Sequence, residues 1–319
     1  MISFIKAACL TAVVTLCPIA ASADGFSLGG QIGSIGNFTN DAIGDGNDRW
    51  QSASYQRSWF YNGNVFAPDD AVEFRLRGQI VSPWTGQSDY VDPANPGAGA
   101  VSRNRSYGSA LGFAAYAHTR TGAFETRIGA ELLVIGGQTG LHSLQHQAHD
   151  LLGLDSSYDG RNRNDPRISN SIGGTVEVEF AANYSIQNEF RVRPYALAQA
   201  GSETTVRFGS DFIFGPLAVS DEHRWTRDAV TGMPLTAGMH DIEGFSFIAG
   251  ADIGHAESSY LFPNNSQVDI EETRVRARLG VQAKIGMFSV MFGQTWMSEE
   301  FDGQDEAQRI GSLSIGFRI

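Results

Sequence analysis

Along most of this chain, oily and charged side chains alternate with a period of two, which restricts those stretches to β-strands with one face of each kind. From Val72 to Ile80, Val72, Phe74, Leu76, Gly78 and Ile80 are apolar or small, and Glu73, Arg75, Arg77 and Gln79 between them are polar. The same rhythm returns with Ile128, Ala130, Leu132 and Val134 against Arg127 and Glu131. It returns again with Val176, Val178 and Phe180 against Glu177 and Glu179, and with Val275, Ala277, Leu279 and Val281 against Arg274, Arg276, Arg278 and Gln282. A soluble sandwich would bury the oily faces and wet the charged ones, so alternation alone leaves sandwich and barrel open.

The aromatic residues favour the barrel. Trp59, Phe60, Tyr61, Trp84, Tyr107, Tyr116, Phe190, Tyr195 and Trp296 fall toward strand ends or among the apolar positions, as interfacial girdles around a lipid-facing band would require. About a dozen strands are expected, roughly one per 25 residues. The stretch Leu313-Ser314-Ile315-Gly316-Phe317-Arg318-Ile319 is apolar at every second position, like the closing strand of an outer-membrane barrel. The expected fold is all-β: a closed antiparallel transmembrane β-barrel of about 12 strands, with a short helix and long outer loops.

Lys6 followed by the apolar run Ala7–Ala20 and by Ala21-Ser22-Ala23 reads as a secretory signal peptide over residues 1–23, leaving 24–319 as a single barrel domain. No other segment approaches the roughly 20 apolar residues of a spanning helix. Cys9 and Cys17 both fall within the signal, so the mature chain is expected to lack thiol and thiolate-metal chemistry. The net charge of −12 argues against nucleic acid as a partner. Lysine occurs only at positions 6 and 284 while arginine is frequent, which suits either a polyanionic lipopolysaccharide surface or a bias of the genome.

Gln87–Arg105, Asp155–Asn170 and Gly215–Asp241 are polar and rich in Gly and Pro, and they read as loops long enough to carry function. One helix is expected, His142–Leu152, with an apolar stripe of Leu144, Ala148, Leu151 and Leu152. Gln145 and His149 share a neighbouring face at i and i+4. Near the front of the chain, Asn40-Asp41 opens an acidic turn with Asp45, Asn47 and Asp48. Hard oxygen ligands of this kind suit calcium, although the same residues also describe a solvated Asx-rich turn. Ser52, Ser54, Gln56 and Ser58 alternate with larger residues and are expected to face the lumen. An Asn-Asp pair, a hydroxyl and a Gln-His pair one helical turn apart have the makings of a hydrolytic site with an oxygen-ligated metal. Gly25-Phe26-Ser27-Leu28-Gly29 has the letters of a nucleophile elbow but lies in a strand pattern.

Taken in order, Thr39-Asn40-Asp41-Ala42-Ile43-Gly44, Asp48-Arg49-Trp50-Gln51-Ser52, Gln79-Ile80-Val81-Ser82-Pro83, Val134-Ile135-Gly136 and Gln145-His146-Gln147-Ala148-His149-Asp150-Leu151-Leu152-Gly153 resemble the LpxR-type lipid A 3′-O-deacylases. That resemblance implies a bacterial outer-membrane barrel, expected to be a monomer, acting on lipid A of the outer leaflet with calcium. It carries catalytic roles onto His149, Asn40, Ser52 and Gln145, and calcium ligation onto Asp41 and Asp155. The family's lysine after the Ser-Pro step has no counterpart, since none occurs between Val81 and Arg105; Arg103 and Arg105 are the nearest cations, at a different spacing. The alternative reading is a non-catalytic barrel that binds lipopolysaccharide or forms a narrow pore.

Overall fold

A computed structural model describes residues 27–47, 49–67, 70–84, 87, 89–90, 101–102, 104–152, 167–187, 189–220, 224–237 and 241–319. The segment read as a signal peptide, both cysteines, Asp48, Arg103 and Asp155 lie outside the described residues. Twelve strands form the wall. They are β1 Ser27–Asn40, β2 Ala53–Asn64, β3 Asp70–Val81, β4 Gly108–Thr121, β5 Phe124–Ile135 and β6 Ser171–Ala182, then β7 Phe190–Gly201, β8 Glu203–Phe214, β9 Gly244–Ser259, β10 Thr273–Ile285, β11 Phe288–Met297 and β12 Gln308–Arg318. Each pairs antiparallel with its neighbours in sequence, and β12 returns to β1 from Gly33↔Arg318 to Asn40↔Gly311, so the sheet closes on itself. Closure leaves no unpaired sheet edge, which a wall facing hydrocarbon cannot tolerate.

The alternation now has a direction. On β10, Arg274, Arg276, Arg278, Gln282 and Lys284 are buried, while Val275, Leu279, Val281 and Ile285 are exposed. The oily face points outward to lipid and the charged face fills the lumen, the inverse of a soluble sandwich. Inside, carboxylates and guanidinium groups interlock: Arg193 meets Glu125 at 3.1 Å and Glu179 at 3.0 Å, and Arg276 meets Asp252 at 3.1 Å. The flat, forked guanidinium bridges two carboxylates at once, which the point charge of lysine does less well. This interior accounts for much of the arginine in the sequence.

Two expectations need correction. Phe60, Tyr116 and Tyr195 are not girdle residues; they are buried in the lumen. There Phe60 packs edge-on to His118, Arg75 lies 4.5 Å over Tyr116 and Arg227 lies 3.5 Å over Tyr195. A lumen crowded with guanidinium groups gives inward aromatic rings a cation-π partner that lipid would not. Trp296 faces outward as expected, and Phe113, Phe208, Phe247 and Phe292 are outward rings as well.

The second correction concerns Gly215–Asp241, which is a plug and not an outer loop. It leaves β8 at the end of the barrel that carries the chain termini, forms the short helix Pro216–Val219 and a ribbon of Thr226–Arg227 with Pro234–Leu235, and rejoins the wall at β9. Leu217, Trp225, Met233, Leu235 and Ala237 pack with Ile35, Phe60, Ile213, Ile248 and Met291 in one apolar cluster of the interior. Arg227 seats the plug on the wall through Glu179 at 3.0 Å and Asp211 at 2.7 Å. Apolar residues without a period, in a segment rich in Gly and Pro, gave no strand or helix signal to read.

Candidate active site

The site-bearing loops lie at the opposite end of the barrel. Asn40 ends β1 in an extended conformation and caps α1, the four-residue helix Asp41–Gly44, by accepting from the Ala42 N–H at 2.6 Å. The same side chain donates through Nδ2 to the Ser52 carbonyl, tying the two ends of the turn together. Asp41 is fully buried, and its Oδ2 accepts from the Arg49 N–H at 3.0 Å and the Gln51 N–H at 3.1 Å. Its own N–H donates to the Gln51 carbonyl at 3.3 Å. Local side-chain bonds to backbone therefore shape this turn, as Asx residues characteristically do.

Asp45 closes α1 by donating its N–H to the Asp41 carbonyl at 2.9 Å, and its Oδ1 accepts from the Asn47 N–H at 3.0 Å. It pairs with Arg49 at 2.6 Å, and the guanidinium also binds Glu306 and lies 4.5 Å over Trp50 and 4.8 Å over Trp84. Burial works to lower the Arg49 pKa, but Glu306 and Asp45 outweigh it and raise the value above the usual arginine range. Ser52 Oγ and Ser82 Oγ are hydrogen-bonded at 2.5 Å, joining the loop to the top of β3.

The second group of residues sits on the outer wall. Gly136, with φ of 91°, turns the chain out of β5; a side chain there would meet Asn170 Oδ1 at 2.6 Å. A 3₁₀ turn, Gly137–Thr139, then leads into α2, the helix Leu141–Leu152, one residue longer than expected. Leu141 packs over Gly78 on β3, where an added Cβ would come within 3.3 Å of Leu141 Cδ1. Gln145 Oε1 accepts from the Tyr107 hydroxyl at 3.1 Å, which fixes the rotation of the helix against the start of β4. Leu144 and Leu151 are 62% and 86% exposed, so part of the apolar stripe faces the lipid side and not the protein. His149 lies in α2 one turn beyond Gln145; its side chain is outside the described residues, as is all of Asp155.

The structure thus brings Asn40, Asp41 and Ser52 into one bonded unit above β1 and β2, and places Gln145 on a helix lying over β3. Gly78 on β3 and Ser82 just past its end join the two groups. Ser82 and Tyr107 were not among the expected site residues: Ser82 was visible within the Gln79–Pro83 motif, and Tyr107, expected as a girdle ring, is buried beside the helix. Arg105 does not stand in for a site cation. It is buried against Glu300 at 2.9 Å and lies 5.0 Å over Phe262. Burial lowers its pKa, and burial's opposite pull on Glu300 is overcome by Arg105 and Arg274, which hold that carboxyl below the usual range.

The donors around Asn40, Asp41 and Ser52 are all oxygens, a hard set that suits calcium. Among the described residues no cluster of three or more His, Cys, Asp or Glu side chains able to hold a metal occurs.

The sequence profile of the family described as Outer membrane protein LpxR matches residues 7–319. Among solved structures, the chain is similar to LpxR from Salmonella typhimurium, with 17% identity and a TM-score of 0.68 over 89% of this chain and 100% of that one. The β domain of the Bordetella autotransporter BrkA matches with 12% identity and a TM-score of 0.41, covering 90% of this chain and 98% of that one. The translocator domain of the autotransporter NalP from Neisseria meningitidis matches with 11% identity and a TM-score of 0.38, covering 99% and 95%. No curated protein sequence matches.

Proposed function

The chain belongs to the LpxR family of outer membrane proteins, and from that premise we propose that it is a lipid A hydrolase that removes the 3′-linked acyloxyacyl chain. The observation that carries the reading is the position of α2. The helix bearing Gln145 and His149 lies on the lipid-facing wall beside the bonded Asn40–Asp41–Ser52 loop, where an ester held in the outer leaflet can reach it without leaving the membrane.

Neutral His149 takes a proton from water as the water attacks the acyl carbonyl. Water is favoured over Ser52 as the nucleophile, because the Ser52 hydroxyl is buried and engaged with Ser82. Asn40 uses one N–H to hold the loop, and its second N–H is the donor for the substrate carbonyl. Gln145, anchored by Tyr107, sets the rotation of the helix and so the reach of His149. Asp41 and Asp155 are the residues that would hold calcium, which when bound supplies positive charge to the developing oxyanion, typically worth a few kcal/mol.

The rival reading is a lipopolysaccharide-binding barrel without catalysis, favoured by the absence of lysine between Val81 and Arg105. The plug speaks against the pore-like version. Expression in a Gram-negative host lacking such an enzyme, followed by mass spectrometry of its lipid A with and without calcium, separates the two. Loss of an acyloxyacyl mass that requires calcium and disappears in an inserted His149→Ala barrel is the expected result. Unchanged lipid A from a correctly inserted wild-type barrel overturns it.

A further inference from the structure

Behind the Asn40–Ser52 loop, on the lumenal side of the wall, side chains from four segments form a polar chain whose direction is fixed. Arg77 grips Glu131 with two bonds, Nε to Oε1 at 2.7 Å and Nη2 to Oε2 at 2.8 Å. Its Nη1 donates to Gln79 Oε1 at 3.1 Å, and the Tyr260 hydroxyl donates to the same oxygen at 2.7 Å. An amide oxygen has two lone pairs. With both engaged, the Gln79 amide can face only one way, and its Nε2 donates to Gln51 Oε1 at 3.1 Å. Gln51 and Gln79 are both buried. The backbone of Gln51 holds Asp41 on two sides, through its N–H to Oδ2 and its carbonyl from the Asp41 N–H.

Gln51 and Gln79 line a lumenal cavity of about 90 Å³, together with Arg77, Tyr260, Arg274 and Glu300. Either amide could turn toward water there, were it not for the two donors on Gln79 Oε1. We propose that Gln79 is a positioning residue for the reaction, locking Gln51, and through it the Asp41 carboxylate, from inside the barrel and without touching substrate. This rests on the lipid A hydrolase reading above. The Arg77–Glu131 pair and Tyr260 supply the polarity; Gln79 transmits it to the loop. Tyr260 lies 181 residues from Gln79 in sequence, so the closed barrel and not the local chain creates the contact.

The test measures kcat and KM for lipopolysaccharide deacylation in mixed micelles by the full-length folded barrel, with Gln79→Met, Gln51→Met and the double variant, each checked for the heat-dependent electrophoretic shift of a folded barrel. Each single variant is expected to lower kcat by roughly 10- to 100-fold with KM unchanged, the scale of a small misplacement of reacting groups. The double variant should be no worse than the more severe single one, because both break the same link. Wild-type kcat in Gln79→Met, or losses that multiply in the double variant, overturns the inference while leaving the hydrolase reading intact. Should Gln79→Met not insert, Gln51→Met alone breaks the same link; a wild-type kcat there overturns the inference equally. A wild-type barrel without deacylase activity overturns both.

Discussion

Gly44 closes α1 against β12, and its replacement by alanine separates the stability of the barrel from the geometry of the site. A methyl group at Gly44 would lie 1.9 Å from the Arg309 carbonyl oxygen, 2.4 Å from its carbon and 2.8 Å from the Ile310 Cα. All are backbone atoms of β12, which pairs with β11 at both residues and with β1 from the next residue, Gly311, so the strand does not yield. Restoring ordinary contact at 3.4 Å or beyond requires α1 to lift by about 1.5 Å, an overpacking change that costs about 1–3 kcal/mol. The helix begins at Asp41 and is capped by Asn40, so both move with it. Misplacing a reacting group by about 1 Å costs on the order of 100-fold in rate. Gly44→Ala is therefore expected to insert normally and to deacylate lipid A about 100-fold more slowly, read as the acyl-loss mass against time. Gly30→Ala, where an added Cβ meets nothing within 4 Å, is the silent control. A wild-type rate for Gly44→Ala in a folded barrel would refute the reasoning.

Arg227→Gln removes the guanidinium shared by Glu179 and Asp211, while Arg193 and Arg278 still pair with those carboxylates; a loss of about 1.5–3 kcal/mol, the scale of hydrogen bonds to charged groups, is expected in urea unfolding followed by tryptophan fluorescence. Leu279, exposed at the centre of β10, faces the hydrocarbon, so Leu279→Arg should destabilise vesicle-inserted barrel by about 2–4 kcal/mol, and a neutral outcome would place β10 the other way round. Glu300 is held below the ordinary carboxyl range by Arg105 and Arg274 against the pull of burial. The unfolded chain thus binds the extra proton, and the stabilisation is complete above the ordinary glutamate value and drains as pH falls through the folded one. Thermal melts of Glu300→Gln should lack that acid limb.

The wall was legible because its chemistry is periodic. Val72–Ile80 lies within β3, the terminal alternation is β12, and the helix begins one residue before the expected His142. The aromatic residues misled where the lumen is not water: a filled interior offers Phe60, Tyr116 and Tyr195 a site that a hollow barrel would not. The plug was illegible because its order comes from the surfaces it fits and not from its own repeat. Within the site, the Asn40-Asp41 turn and Ser52 could be read because they are close in sequence. The partners that hold them, Ser82 at 30 residues and Tyr260 reaching Gln79 across 181, exist only once the strands are in register.

The plug also bears on how such a molecule can be put together. Asn37 on β1 donates to Asp228 of the plug at 2.8 Å and accepts from Ser314 on β12 at 2.6 Å, while Gln56 on β2 donates to the Arg227 carbonyl at 3.1 Å. First strand, last strand and plug therefore meet in one buried bonded group at the place where the cylinder is sealed. A wall sealed early would have to admit a folded segment with its arginine already desolvated, whereas a wall sealed late can wrap around it. The expected order of assembly is that the connection between β8 and β9 takes shape within a still-open sheet and the first strand then joins the last around it; disulfide trapping of β1 against β12 during folding should therefore lag behind the burial of Trp225 in the plug.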